Sequence, residues 1–344
     1  MRQENNINLS IIVPVFNEDT YLYKLYDEIK RYFNESNIEV VFVNDGSKDL
    51  SKNILEDFKN NKHKFNYVLI NLQRNFGKGY AVKEGIKNCN GKYILLQDAD
   101  LELDLKDSKE IYDIISNDKS IDCIFGSRYL SGKLKRHNYF INELAGKFNT
   151  FVFNLFFGQS LSDIHCGLKV FKREVYEKID LHVNDFGLEI ELASQIIKNN
   201  FQVYEVGVSY FSRTVKAGKK ITWIDGLKSY YYLFKVRFLD NSKSTLLSIL
   251  ISSLYMAFVG SFFGMGLGNT IFIVIFFILG MIIGLKTKIF STLSIFLFIY
   301  FGSLFGNGQG KVLSVLLFFI LGILTVYKIK KTIKNKHSKF ANLF

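Results

Sequence analysis

The first 220 residues carry a train of short apolar, β-branched runs, each separated from the next by a helix-patterned stretch. The runs are "LSIIVPVF" (9–16), "EVVFVNDGS" (39–47), "YVLINL" (67–72), "YILLQDAD" (93–100) and "DCIFGS" (122–127). Continuous apolar runs of this length suit strands buried on both faces, as in a parallel sheet. Between them, Leu22, Leu25, Tyr26, Ile29 and Phe33 recur at helical spacing behind an N-cap at Asp19 or Thr20, and Ile54, Leu55 and Phe58 repeat the pattern. This alternation predicts an α/β domain with a largely parallel sheet, whose ligands bind beyond the carboxyl ends of the strands.

Those strand ends are acidic. The first closes in "PVFNE", the second in "NDGS" and the fourth in "DADLE". Asp, Asn and Gly are ordinary turn formers, so one such end says little. Three of them opening on one edge point to a site. In "LQDADLELD" (96–104) four carboxylates, Asp98, Asp100, Glu102 and Asp104, fall within seven residues. Like charges this close raise one another's pKa unless a cation offsets them. A D-x-D turn supplies oxygen ligands for Mg²⁺ or Mn²⁺, which is commonly held by one or two carboxylates together with substrate phosphates. Such a cation would also stabilise a departing diphosphate. Asp104 is expected to cap a helix starting near Leu105.

"IIVPVFNE", "VNDGSKD", "RNFGKGYAVKEGI", "LQDADLE" and "GSRY", in this order, resemble family 2 glycosyltransferases of the GT-A (Rossmann-like) fold. "DIHCGLKVFKRE" (163–174) is similar to a stretch of the polyprenyl-phosphate branch, which includes dolichyl-phosphate mannose and glucose synthases and bacterial undecaprenyl-phosphate enzymes. The resemblance spans roughly residues 8–240. It implies that a lipid phosphate attacks the anomeric carbon of a nucleotide-diphosphate sugar, UDP- or GDP-linked, and inverts it. By match, Glu18 and Asp45 would hold ribose and base, with Pro14 and Ala99 in the donor wall. Lys78 would lie near the nucleotide phosphates, with Gly77 allowing close backbone approach. Asp98 would contact the nucleotide sugar or the metal, Asp100 would be the principal metal ligand, and Glu102 a further one. Arg128 and Arg213 match arginines that bind the acceptor phosphate, and Arg offers a bidentate fork suited to it. Lys219 and Lys220 follow Gly218 where relatives often read G-x-S-K, so Lys219 departs from that pattern. Glu189 and Glu191 suit either support of the acceptor site or a structural ion pair. His165 has no second His or Cys at ligand spacing and is assigned to packing.

From about residue 244 to 327 the chain is almost uncharged. Four apolar segments, near 245–264, 269–285, 289–305 and 312–327, read as transmembrane helices. Two longer broken spans are the alternative. The loop "KTK" (286–288) and the tail 329–344 are basic, whereas the other two turns carry only Lys311, so the positive-inside rule places the catalytic domain on the cytoplasmic side of a plasma (inner) membrane. Residues 221–243 mix aromatic with basic side chains, as an interfacial amphipathic helix does, and the aromatic stretch 138–158 could dip into the headgroups. The expected domains are thus 1–220, catalytic; 221–243, juxtamembrane; 244–328, membrane; and the tail. Apolar surfaces in the membrane half could pack between copies as a homo-oligomer. No secretory signal precedes the first run, which is short and contains Pro14.

The formal net charge of +12 concentrates where membrane topology would place it, which argues against nucleic acid as the partner. Cys89, Cys123 and Cys166 lack C-x-x-C spacing and suit a reducing compartment. A processive polysaccharide synthase would share the N-terminal motifs, but its Q-x-x-R-W motif is missing, the only Trp being Trp223. A non-catalytic membrane scaffold would not need Asp98, Asp100, Arg128 and Arg213 together.

Overall fold

The computed structural model describes residues 7–130, 132–136, 139–214, 223–241, 243–261 and 267–286. The chain divides into two compact units, Met1–Leu233 and Phe234–Phe344.

The first unit opens with β1 (Leu9–Val15), α1 (Asp19–Phe33), β2 (Ile38–Asn44), α2 (Ser51–Phe58), β3 (Asn66–Asn71), α3 (Lys78–Lys87), β4 (Tyr93–Leu96), α4 (Leu105–Asn117) and β5 (Cys123–Ser127). An excursion follows with β6 (Lys135–Arg136) and α5 (Phe140–Phe157). The chain then returns through β7 (Lys169–Lys172), α6 (Arg173–Tyr176), α7 (Leu188–Lys198), β8 (Val203–Gly207), β9 (Tyr210–Phe211) and α8 (Trp223–Phe234).

Seven strands form one sheet in the order β3-β2-β1-β4-β7-β5-β8. All neighbours are parallel except β7, which runs antiparallel to both β4 and β5. The predicted parallel sheet is therefore interrupted by one reversed strand. Because β7 points the other way, its first residue, Lys169, stands at the edge where β1, β2, β4 and β5 end. That edge is consequently built from both carboxyl ends and one amino end.

The apolar runs are buried as their composition requires. In β1, Leu9, Ile11, Val13 and Val15 join the core under α1 and α4, while Ile12 meets α3 on the opposite face. There a Cβ on Gly85 would sit 2.6 Å from Ile12, so the glycine lets α3 lie close on the sheet. Leu22, Leu25, Tyr26, Ile29 and Phe33 of α1 are all buried. β3, expected to be covered on both faces, is only half-buried because it is an edge strand. The N-cap of α1 is Glu18, not Asp19 or Thr20, and its carboxylate makes no cap bond because it is turned to Arg213. Asp104 caps α4 as expected, accepting from the Lys106 amide at 2.9 Å.

In the second unit, a π-turn at Lys235–Leu239 precedes α9 (Lys243–Gly260) and α10 (Leu267–Lys286). These helices fall on two of the expected spans, with α9 ending four residues short of position 264. They pack through small residues: the Ser252 hydroxyl donates to the Gly280 carbonyl at 2.6 Å, and a Cβ on Gly280 would lie 2.4 Å from the Ser252 oxygen. Among the described residues, no helix is long and apolar enough to cross a membrane. The expected spans 289–305 and 312–327 and the basic tail lie outside the described residues.

Candidate active site

A cleft of about 800 Å³ opens at the mixed edge of the sheet. Pro14, Glu18, Asp45, Gly77, Lys78, Asp98, Ala99, Asp100, Glu102, Arg128 and Arg213 all line it. The topology accounts for this convergence: Glu18 follows β1, Asp45 follows β2, Asp98 and Asp100 follow β4, and Arg128 follows β5. Lys219 and Lys220 lie outside the described residues.

Two cations divide the carboxylates. Lys78 Nζ lies 2.7 Å from Asp98 Oδ1 and 3.1 Å from Glu189 Oε1. Glu189 in turn binds Lys169, which is wholly buried at the start of β7. Withdrawal from water opposes the Lys78 charge, but Asp98 and then Glu189 outweigh it and hold its pKa above the ordinary value. The same balance keeps Glu189 below the usual carboxylate range: burial opposes its charge, and Lys169 and Lys78 overcome that. The structural ion pair considered for Glu189 is thus present, and it reaches the cleft through Lys78. Glu191 instead accepts the His182 and Val183 amides, which makes it an anchor of the loop before α7.

Arg213 holds the other carboxylates. Its Nη1 lies 2.8 Å from Glu18 Oε2, its Nη2 lies 3.1 Å from Asp100 Oδ2, and its amide donates to Glu102 Oε1 at 2.6 Å. Asp100 is still short of positive charge. Withdrawal from water, then Asp98, then Glu102 raise its pKa to about 7 against the pull of Arg213.

The carboxylates expected to hold a metal are partly engaged by other groups in this structure. Among the described residues, no group of three or more His, Cys, Asp or Glu side chains is arranged to hold a metal ion. Asp98 is engaged by Lys78, while Glu102 accepts from the Arg213 amide and, at 3.0 Å, from the Tyr210 hydroxyl. Glu102 is therefore an anchor for the 210–213 segment. Asp98 and Asp100 remain an all-oxygen donor pair of the kind that suits a hard cation shared with phosphates.

Asp45 also has a structural task. Its two carboxylate oxygens accept from the Phe76 and Gly77 amides at 2.8 and 2.9 Å, drawing the loop before α3 down to the β2 end. Gly77 has φ +102°, and a Cβ there would lie 2.4 Å from the Asn184 carbonyl oxygen. Gly77→Ala is expected to lower stability by about 1–3 kcal/mol and to weaken nucleotide binding. A thermal melt beside a UDP titration checks both.

Arg128 is gripped from behind. Its Nε and Nη2 donate to the two oxygens of the fully buried Asp163 at 2.7 and 2.9 Å. Asp163 sits below the usual carboxylate range because Arg128 outweighs its burial. The guanidinium also lies over the Tyr210 and Tyr129 rings, at 5.2 and 5.5 Å. This bidentate pairing with the buried Asp163 fixes the Arg128 side chain in the cleft wall. Asp163 and Lys169 were the partners that sequence reasoning missed. Both fall inside "DIHCGLKVFKRE", and a lysine within an apolar strand was the available signal.

Residues 10–180 match the family model described as Glycosyl transferase family 2. The chain is 31% identical over 244 residues to a dolichyl-phosphate beta-glucosyltransferase of Dictyostelium discoideum, covering 64% of this chain and 74% of that one. It is 30% identical over 250 residues to the Saccharomyces cerevisiae dolichyl-phosphate beta-glucosyltransferase, covering 66% and 73%. Among solved structures, glucosyl-3-phosphoglycerate synthase of Mycobacterium tuberculosis, in complex with phosphoglyceric acid, superposes with a TM-score of 0.54 at 13% identity, covering 69% of this chain and 82% of that one. The same enzyme in complex with Mn²⁺, UDP and glucosyl-3-phosphoglycerate gives 0.53 at 12% identity, covering 69% and 82%. These likenesses support the GT-A α/β fold expected from the sequence. An α/β sheet with acidic strand ends facing fixed cations defines the class, and the chain belongs to glycosyl transferase family 2.

Proposed function

We propose that the protein transfers a hexose from a nucleoside-diphosphate sugar to a polyprenyl phosphate at a membrane surface, with inversion at the anomeric carbon. The observation that carries this reading is the juxtaposition, in one cleft, of Asp98 and Asp100 with Lys78, Arg128 and Arg213. Such a site can hold two phosphate-bearing substrates together. The dolichyl-phosphate beta-glucosyltransferases to which the chain is similar support a lipid phosphate as acceptor and glucose as the sugar.

A phosphate monoester is already ionised near neutral pH, its second pKa being about 6, so attack needs no strong general base. The work of the chain is positioning and charge neutralisation. Lys78, pinned between Asp98 and Glu189, faces the donor phosphates. Arg128, held by Asp163, presents a fixed positive wall to the acceptor phosphate. Arg213, drawn toward Glu18 and Asp100, keeps the acidic edge compensated before substrates arrive. Asp98 and Asp100 would hold Mg²⁺ or Mn²⁺, which supplies Lewis-acid stabilisation of the departing diphosphate.

Membrane attachment rests on apolar surface. Phe140, Ile141, Leu144, Phe148, Phe151 and Leu155 of α5 are all exposed, as is Tyr231 of α8. An apolar face of this size on a helix fits an interfacial role. In the second unit Leu250, Leu254, Phe258, Ile271, Val274 and Ile278 are exposed as well. No charged residue precedes Lys286 in α10. We read α9 and α10 as a membrane hairpin within a multi-pass anchor, with the catalytic unit on the cytoplasmic side.

The test is transfer of radiolabelled sugar from UDP-glucose, UDP-N-acetylglucosamine and GDP-mannose to undecaprenyl phosphate, with Mn²⁺ or Mg²⁺ and then with EDTA. Metal-dependent label in the lipid fraction from one donor is expected. Absence of label from every donor, with folded protein that still binds UDP, would overturn the acceptor assignment.

A further inference from the structure

The groups assigned so far are almost all charged, as befits phosphates and a cation. Two neutral side chains in the same wall have no such task. Asn149, on α5, is 4% exposed, lines the cleft, and its Oδ1 has no hydrogen-bond partner among the described residues. His165, in the loop before β7, also lines the cleft, and its Nε2 is buried and equally unpartnered. Buried polar atoms are nearly always satisfied, and leaving one unmade costs about 1–3 kcal/mol. Two such atoms in one binding wall indicate ligand-facing groups.

The fold holds the pair together. The Ile164 amide donates to Thr150 Oγ1 at 3.4 Å, tying the His165 loop to α5 one residue from Asn149. The His165 amide donates to Asp163 Oδ1 at 3.2 Å. Two residues on, a Cβ at Gly167 would lie 2.2 Å from Asp98 Oδ2 and 3.2 Å from Lys78 Nζ, so the loop presses directly on the donor wall. Burial, with Arg128 and Lys169 nearby, outweighs Asp163 and lowers the His165 pKa to about 4. The ring is therefore neutral under working conditions and offers one donor and one acceptor. A neutral donor–acceptor pair beside the diphosphate wall suits a hydroxyl, not a phosphate.

We propose that Asn149 and His165 form a neutral subsite that binds a hydroxyl of the transferred sugar and so helps set which sugar is accepted. This rests on the nucleotide-sugar reading above. A site built to hydrogen-bond a substrate hydroxyl discriminates strongly against ligands that lack it.

The experiment is calorimetric titration of the full chain in nanodiscs with UDP and UDP-glucose, and with GDP and GDP-mannose, for the wild type, Asn149→Leu and His165→Leu. The ratio of nucleotide to nucleotide-sugar dissociation constants should fall about tenfold in each variant, the loss of roughly one hydrogen bond. Affinity for the bare nucleotide should move less than about twofold. Bare nucleotide binding with an unchanged ratio in both variants would overturn the subsite alone, as would equal weakening of nucleotide and nucleotide sugar. Failure of the wild type to bind any of the four would remove the nucleotide-sugar reading and the subsite with it.

Discussion

Asp100→Asn is expected to reduce sugar transfer about 10³-fold, the scale of losing a preorganised charge at the reacting diphosphate. The substitution keeps the shape of a side chain whose Oδ1 accepts the Glu102 amide at 3.1 Å, so the turn should survive. A pH signature accompanies it. With its pKa raised to about 7, Asp100 is largely protonated in the metal-free protein below neutrality. A cation must then displace that proton, so Mn²⁺ affinity should fall as pH drops through 7, by up to about tenfold per unit, and level off above it. Electron paramagnetic resonance titrations of Mn²⁺ at pH 6 and 8 would show this slope in the wild type and a much flatter one in Asp100→Asn. Activity within about tenfold of the wild type would place the metal on other groups.

Asp163→Ala is expected to be the most destabilising single change in the cleft wall. It leaves the Arg128 guanidinium without the carboxylate that takes two of its nitrogens, and removing one partner of such a buried pair costs about 3–5 kcal/mol. It also releases the Arg128 and His165 amides, which share the same carboxylate. A denaturant melt measures the loss. Replacing both members, as in Arg128→Leu with Asp163→Leu, should recover much of the stability without restoring transfer. If the double variant were active, Arg128 would have no part in holding the acceptor.

The sheet and its acidic edge were legible because they are local. An apolar run followed by a carboxylate-bearing turn is read within a dozen residues, and Glu18, Asp45, Asp98 and Asp100 all line the cleft. What stayed hidden depends on topology. The reversal of β7 has no signature in "KVFK", yet it brings Lys169 to the substrate edge and, through Glu189, sets Lys78. Nothing in the motif around Arg213 shows that its guanidinium pairs with Glu18, 195 positions away. The family resemblance, not its own surroundings, is what places Glu102 among the metal ligands. Its partners, Arg213 and Tyr210, come from the far end of the domain. The sequence neighbours of His165 show no ligand spacing, so nothing local marks it as more than packing. The unpartnered atom became visible only with the cleft wall assembled.

The excursion between β5 and β7 leaves and rejoins the sheet at nearly one point. Ser127 and Ser162 share a hydroxyl contact of 2.6 Å, and Arg128 and Asp163 clasp beside it. A segment pinned at its neck can vary in length at little entropic penalty to the scaffold, since each doubling of a flexible loop adds only about 0.6 kcal/mol. For the history of such a protein this is a seam along which parts can be exchanged. One half of the cleft wall can be inherited unchanged, while the looped-out portion, bearing α5 and the other side of the cleft, is lengthened, shortened or traded as new ligands are met.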